Sequence, residues 1–283
     1  MYFPDQTFPL ERMDAIKTYP NAVNGYFKGL QVCQRETGVT IKGSIPKYGQ
    51  GNNVIPLTRS ALESVMNQLA EETGLNLKTG IVYQLEVGTT LQVKHPPREY
   101  MACWGEFGRF KKAIWGSGDT VYLITKARQW IGYDKGKEIK PSALPPVFDG
   151  FHALRTELKY QRGIKKIFER VLSPSSLYER ETYHGLVKNF KDFYFRIPKV
   201  RRPYIAMDGL APADLKDALA CIGIQAVGLD GVASFIAGGQ GEGFVRKQYA
   251  ARMRAMIRDV QGNSRITDTS VLTEEIDDLM RGF

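Results

Sequence analysis

The chain has 283 residues, 43% of them hydrophobic and 11% aromatic, and carries 39 Lys and Arg against 30 Asp and Glu for a net charge of +9. That composition excludes a disordered polymer and leaves room for one large or two modest domains. Cys33, Cys103 and Cys221 are odd in number and scattered, which excludes a disulfide framework or a CxxC metal knuckle and fits a reducing cytoplasm. The opening MYFPDQTFPLERMDAIK lacks the basic start and apolar run of a signal peptide, and no stretch of about 18 apolar residues occurs, so neither secretion nor a membrane partner is expected.

The basic excess is uneven: residues 1–162 hold 21 Lys and Arg against 15 Asp and Glu, residues 163–202 hold 10 against 4, and the remainder is net acidic. Such a distribution suits a polyanionic partner through counterion release, and ordinary solvated faces would give it equally well.

In chain order, residues 38–57 alternate apolar stretches with Gly, Pro and Asn and predict a strand or hairpin with a long glycine-containing turn. Thr58 caps a helix whose apolar residues Leu62, Val65, Met66 and Leu69 recur at helical spacing until Gly74. A long strand follows over 80–93, with Glu86, Gly88, Thr90 and Gln92 on its polar face. A strand pair is predicted at 120–124 and 129–134, then a proline-rich connection at 141–150. The next strand, 153–160, sets Arg155, Glu157 and Lys159 opposite Leu154, Leu158 and Tyr160. From Gly163 the pattern turns helical, at about 164–172, 175–192, 212–222, 228–237, 243–260 and 271–281. The expected architecture is α+β, with a central antiparallel sheet and helices over residues 1–162 and a mainly helical domain over 163–283.

Three polar positions could carry chemistry. Glu86 and Glu157 lie in mid-strand, and carboxylates on adjacent strands can hold Mg2+ or Mn2+. Tyr133 ends a strand, with Lys135 two residues on, and a tyrosine oxygen beside such an ion can attack phosphorus. From spacing alone, a solvated Glu and an amphipathic rim Tyr are ordinary roles for the same residues. His95, His152 and His184 show no zinc spacing, and Gly238–Gly243 lacks the Lys-Ser/Thr of a P-loop and reads as a turn between helices.

Taken in order, Gly43-Ser-Ile-Pro-Lys-Tyr48, Gln84-Leu-Glu-Val-Gly88, Gly118-Asp-Thr-Val-Tyr-Leu123, Trp130-Ile-Gly-Tyr-Asp-Lys-Gly-Lys-Glu138 and Leu154-Arg-Thr-Glu-Leu-Lys159 resemble the replication-initiation proteins of rolling-circle plasmids of the Rep_trans type and of filamentous phages, the gene II/X replication protein family. The resemblance covers about residues 38–168. It implies a replication-initiator nuclease-like fold and a metal-dependent endonuclease that nicks one DNA strand, keeps the 5′ phosphate on a tyrosine and later rejoins the strand. By that resemblance Tyr133 is the nucleophile, with Tyr122 and Tyr160 next in line. Glu86 and Glu157 are the metal ligands, and Lys135 and Arg155 face phosphate. Gln84 stands where relatives carry Arg, and Thr90 where some carry a second acid, so Glu138, His95 or water would complete the shell of Mg2+ or Mn2+.

The expected partners are origin DNA, single-stranded or hairpin, together with a host helicase and polymerase and a second copy in a homodimer, in the cytoplasm of a bacterial host. Residues 163–283 would then serve DNA binding or oligomerisation. Phosphate contacts are expected from Lys159, Arg162, Lys199, Arg201 and Arg202, with Tyr160, Phe190, Tyr194 and Phe195 as stacking surfaces, although their near-helical spacing suits a core equally well. A non-catalytic DNA-binding replication regulator on the same fold, or a structural polyanion binder, would share the charge and leave Tyr133 without a task.

Overall fold

The computed structural model describes residues 1–116, 118–139, 144–200, 204–205, 219, 223, 266–267 and 269–283. The architecture is α+β. Two compact units are present, one formed by Met1–Arg98 with Glu106–Pro198, the other by Glu99–Gly105 with Lys199–Phe283.

The first unit begins with a sheet of which only the strand at the start of segment 38–57 was expected. Strands β1 (Tyr2–Pro4), β2 (Asp14–Tyr19), β3 (Ala22–Phe27), β4 (Leu30–Arg35) and β5 (Gly38–Lys42) pair antiparallel in the order β1-β5-β4-β3-β2. Lys28 and Gly29, both at positive φ, make the two-residue turn between β3 and β4 that suits the twist of a hairpin. Helix α1 (Ile45–Gln50) occupies the predicted glycine-containing turn. Helix α2 (Arg59–Thr73) is capped by the Thr58 side chain, which accepts from the Ala61 N–H, and stops at Gly74 in the left-handed region. Its Met66 and Leu69 bury Phe3, Phe27, Leu30, Val32, Val39 and Ile41 of the sheet.

The second sheet carries the four strands expected at 80–93, 120–124, 129–134 and 153–160, with the first starting at Leu85, and a fifth, at Lys111–Trp115, that was not expected. Strands β6 (Leu85–Val93), β7 (Lys111–Trp115), β8 (Thr120–Ile124), β9 (Arg128–Asp134) and β10 (His152–Tyr160) pair antiparallel in the order β6-β10-β9-β8-β7, with α3 (Pro97–Ala102) between β6 and β7 and α4 (Lys135–Glu138) directly after β9. After β10 come α5 (Ile164–Ile167) and α6 (Arg180–Phe195). Helix α6 points Leu186, Phe190, Phe193 and Tyr194 at the back of the sheet, where Trp130 lies 5.0 Å from the Phe190 ring and 5.5 Å from that of Phe193. The boundary expected after residue 162 therefore runs through the first unit, because the back of the second sheet needs α6 to cover it.

In the second unit, α7 (Thr269–Gly282) buries Leu272, Ile276 and Met280 at helical spacing, and Glu275 accepts a hydrogen bond from Tyr100 at 2.7 Å. Strands β11 (Tyr204–Ile205) and β12 (Ile266–Thr267) form a short antiparallel pair. Most of the helical segments expected between 212 and 260, together with Cys221, Arg201, Arg202 and the Gly238–Gly243 turn, lie outside the described residues. Among the described residues, no helix is long and apolar enough to cross a membrane.

Candidate active site

Register decides what meets on the front of the second sheet. Arg155 of β10 stands directly opposite Tyr133 of β9 on one side and Thr90 of β6 on the other; Glu157 stands opposite Ile131 and Gly88, and Lys159 opposite Gln129 and Glu86. Directly opposed residues share a face, and diagonal neighbours two positions apart remain within reach of long side chains. Tyr133, Arg155, Glu157, Glu86 and Lys159 are thus gathered onto one face from three adjacent strands.

The contacts are specific. The Tyr133 hydroxyl donates to Glu157 Oε1 at 3.1 Å, and Arg155 Nε donates to the same oxygen at 2.9 Å. Arg155 also donates to the Asn53 carbonyl at 2.8 Å and to Thr90 Oγ1 at 3.3 Å, so the loop after α1 ties down its far end. Both members of the Arg155–Glu157 pair are only 6% exposed. Buried charges of this kind are tolerated because each satisfies the other. Glu86 remains more open, with 41% of its side chain exposed, and pairs with Lys159 at 3.7 Å.

Gly88 makes this packing feasible, and sequence reasoning had assigned it no role. A Cβ there would meet Glu157 Cγ and the Thr156 carbonyl oxygen at 2.7 Å and the Arg155 guanidinium at 3.0 Å. A glycine inside an otherwise regular strand is the sequence signal of such a close approach.

Proximity shapes the protonation states. Burial and the adjacent Glu157 carboxylate, close enough to share a hydrogen bond, push the Glu86 carboxyl up to about 7 against the pull of Lys159 and Arg155. Burial, with the charges of Glu157 and Glu138, raises the Tyr133 phenol above its ordinary value, and Arg155 offsets only part of this. Tyr133 is therefore a neutral donor at rest.

Lys135 sits on α4, not on the strand. Asp134 caps that turn by accepting from the Lys137 N–H, and Lys135, wholly buried, holds Glu138 Oε2 at 2.5 Å while its ammonium lies 5.5 Å from the centre of the Tyr133 ring. Burial works to raise the Glu138 carboxyl, but the Lys135 hydrogen bond and charge outweigh it and hold the group below its usual range. The Glu138 charge also acts on Tyr133, so the phenol feels a second carboxylate besides Glu157, to which it is bonded. His95 follows β6 nine positions beyond Glu86, about 30 Å along an extended strand, too far to join it at one ion.

The remaining expected residues divide. Arg162 is exposed in the turn after β10. Lys199 belongs to the second unit, where burial lowers its ammonium to about 8 against the pull of Asp277. Tyr160, Phe190 and Tyr194 are core residues and not stacking surfaces: Tyr160 faces the back, donating to Asn189 Oδ1 at 2.7 Å, and the other two pack on Trp130. Phe195 is exposed, beside a cleft of about 460 Å³ that it lines with Arg128, Asn189, Asp192, Phe193 and Arg196.

Glu86 and Glu157 suit a hard divalent cation of the Mg2+ type, which binds through one or two carboxylates and fills its shell with water and substrate phosphate. The crowding that raises Glu86 is what a cation would relieve. Among the described residues no group of three or more His, Cys, Asp or Glu is arranged around a common metal position, so substrate oxygens would supply the rest. No protein-family model, curated protein or solved structure matches the chain.

Proposed function

We propose that the chain is a rolling-circle DNA replication initiator that nicks one strand of an origin through Tyr133 and later rejoins it. The observation that carries this reading is the Tyr133 hydroxyl hydrogen-bonded to a buried Glu157 that is also gripped by Arg155, with Glu86 on the same face. A buried carboxylate aimed at a phenol is a base for that phenol, and an adjacent guanidinium suits a phosphate.

In the nicking step Tyr133 Oη bonds to phosphorus as the bond from phosphorus to the 3′ oxygen breaks. The phenol proton passes to Glu157 Oε1, and the departing 3′ oxygen takes a proton from solvent. Because the phenol is held neutral at rest, its proton leaves during the attack and not before it. Arg155 steadies Glu157 and, together with Lys135 beneath the ring, offsets negative charge on the phenolic oxygen. Glu86 and the second oxygen of Glu157 would hold Mg2+ or Mn2+, which would polarise a phosphoryl oxygen. The product remains a phosphodiester, so reversal joins the strand.

The test is a covalent adduct. The protein incubated with single-stranded DNA and Mn2+ should give a band that survives boiling in detergent, and Tyr133→Phe, lacking one oxygen, should reduce it to background while folding and DNA binding persist. An adduct formed equally by the Phe variant places the nucleophile elsewhere. Tight DNA binding with no adduct from the wild type supports a non-catalytic regulator instead.

A further inference from the structure

We infer that Trp115 and Tyr122 form a stacking step for an unpaired base beside the phosphate that Tyr133 attacks, an inference that rests on the nicking function proposed above. Of the three tryptophans, Trp104 and Trp130 are buried, whereas Trp115 is 66% exposed. An indole this open to water at the edge of a sheet contributes little to the fold. It lies in a T-shaped contact with the half-buried Tyr122, ring centres 6.1 Å apart.

Register ties this pair to the site. Trp115 stands opposite Thr120, and Thr120 opposite Tyr133; Tyr122 stands opposite Ile131, and Ile131 opposite Glu157. Both aromatics therefore occupy the face that carries Tyr133, Arg155 and Glu157, with Trp115 two inter-strand spacings, about 10 Å, from the tyrosine. β7 is the edge of the sheet, so a strand of nucleic acid can enter from that side.

The chemistry selects single-stranded DNA. In a duplex the base faces are already stacked and unavailable to an indole, whereas an unpaired base offers a π-face to any exposed aromatic. Charge complements this: Lys111, 80% exposed at the other end of β7, shares the face, as does Lys159 across the sheet. Both lysines stand in one register row, four positions along the strands from the row of Trp115 and Tyr133, and pair with Glu106 and Glu86, so phosphates on that one side of a stacked base would meet cations that exchange a surface carboxylate for them.

The test uses the full chain and a short fluorescein-labelled oligothymidylate. Because Trp104 and Trp130 are buried, stacking on a base can change only the Trp115 share of the emission, so an unlabelled copy of the oligonucleotide should quench part of the wild-type emission and none of that of Trp115→Ala. Trp115→Ala should weaken single-strand binding about tenfold, leave duplex binding within twofold and keep the slope of log K against log salt, while Trp115→Phe restores most of the affinity. Equal single-strand affinity in wild type and Trp115→Ala, or an equal loss on duplex DNA, overturns the stacking step, and the nicking reading stands so long as the wild type forms the Tyr133 adduct. A wild type that binds no single strand overturns both. A blue shift of emission on raising protein concentration alone means that the pair covers a second copy, and also overturns the proposal.

Discussion

Strand β10 separates two kinds of burial. On its back, Leu158 and Tyr160 join Trp130 beneath the rings of α6; on its front, Arg155 and Glu157 are just as inaccessible to water. The back is stabilised by removal of apolar area, about 1.5–3 kcal/mol for each large side chain, and tolerates any filler of the right shape. The front is tolerated only because each charge has its partner, and neither partner is replaceable alone. Burial by itself thus does not separate core from site; the chemistry of the neighbours does. The two faces share one backbone, so the packed back also fixes the front.

The largest expected effect tests that contrast directly. Arg155→Ala strands Glu157 in a buried position without its cation and should cost about 3–5 kcal/mol in urea unfolding, whereas Arg155→Met combined with Glu157→Leu should lie much closer to wild type in stability while forming no adduct. A double variant as unstable as the single one would mean that the front is stabilised by its charges after all. Next, Gly88→Ala drives a methyl into Glu157 and the Thr156 carbonyl and should cost about 1–3 kcal/mol, with adduct formation falling further than stability. A variant with wild-type unfolding and nicking would show that the front can relax around an added carbon.

The smallest effect concerns pH. Glu86 titrates at about 7 when folded and near 4.5 otherwise, so the folded state binds more protons between those values, and the stability this group contributes is present at low pH and lost as pH rises to about 7. Glu86→Gln keeps the neutral form throughout; its Tm should match wild type at pH 4 and exceed it at pH 8. Mn2+ should raise the wild-type Tm more at pH 8 than at pH 5, since a ligand must be deprotonated, and should do so far less in Glu86→Gln. An equal response in the two proteins would remove Glu86 from the ligand set.

What could be read in the sequence follows from range. The alternation of 153–160 is local, so that strand and its polar face were legible, as were the strand at 129–134 and Thr58 and Gly74 at the ends of α2. The first sheet, β5 apart, was not, because its other strands are short, are broken by Pro4, Pro9, Pro20 and Gly29, and include a β2 exposed along its whole length with no apolar face to announce it. The likeness to replication initiators brought Glu86, Tyr133, Arg155 and Glu157 together as candidates, but not the grip of Asn53 and Thr90 on Arg155 or the room left by Gly88. Those depend on pairing between segments about 65 to 100 residues apart. Aromatic spacing likewise could not distinguish Phe195, which faces water, from Phe190 and Tyr194, which do not.

The seven residues from Glu99 to Gly105 belong with the chain from Lys199 onward. Tyr100 bonds Glu275, Trp104 bridges to Lys199, and the Cys103 carbonyl accepts from the Val200 N–H. During synthesis this short segment emerges well before its partners and must wait for them while the first unit, begun on both sides of it, condenses around β6 to β10. The second unit is accordingly the last to close, at the entropic cost of a long loop. A chain that ended at Pro198 would leave the Tyr100 side chain and the backbone of Cys103 and Trp104 without the partners they meet from Lys199 onward, a ready target for chaperones.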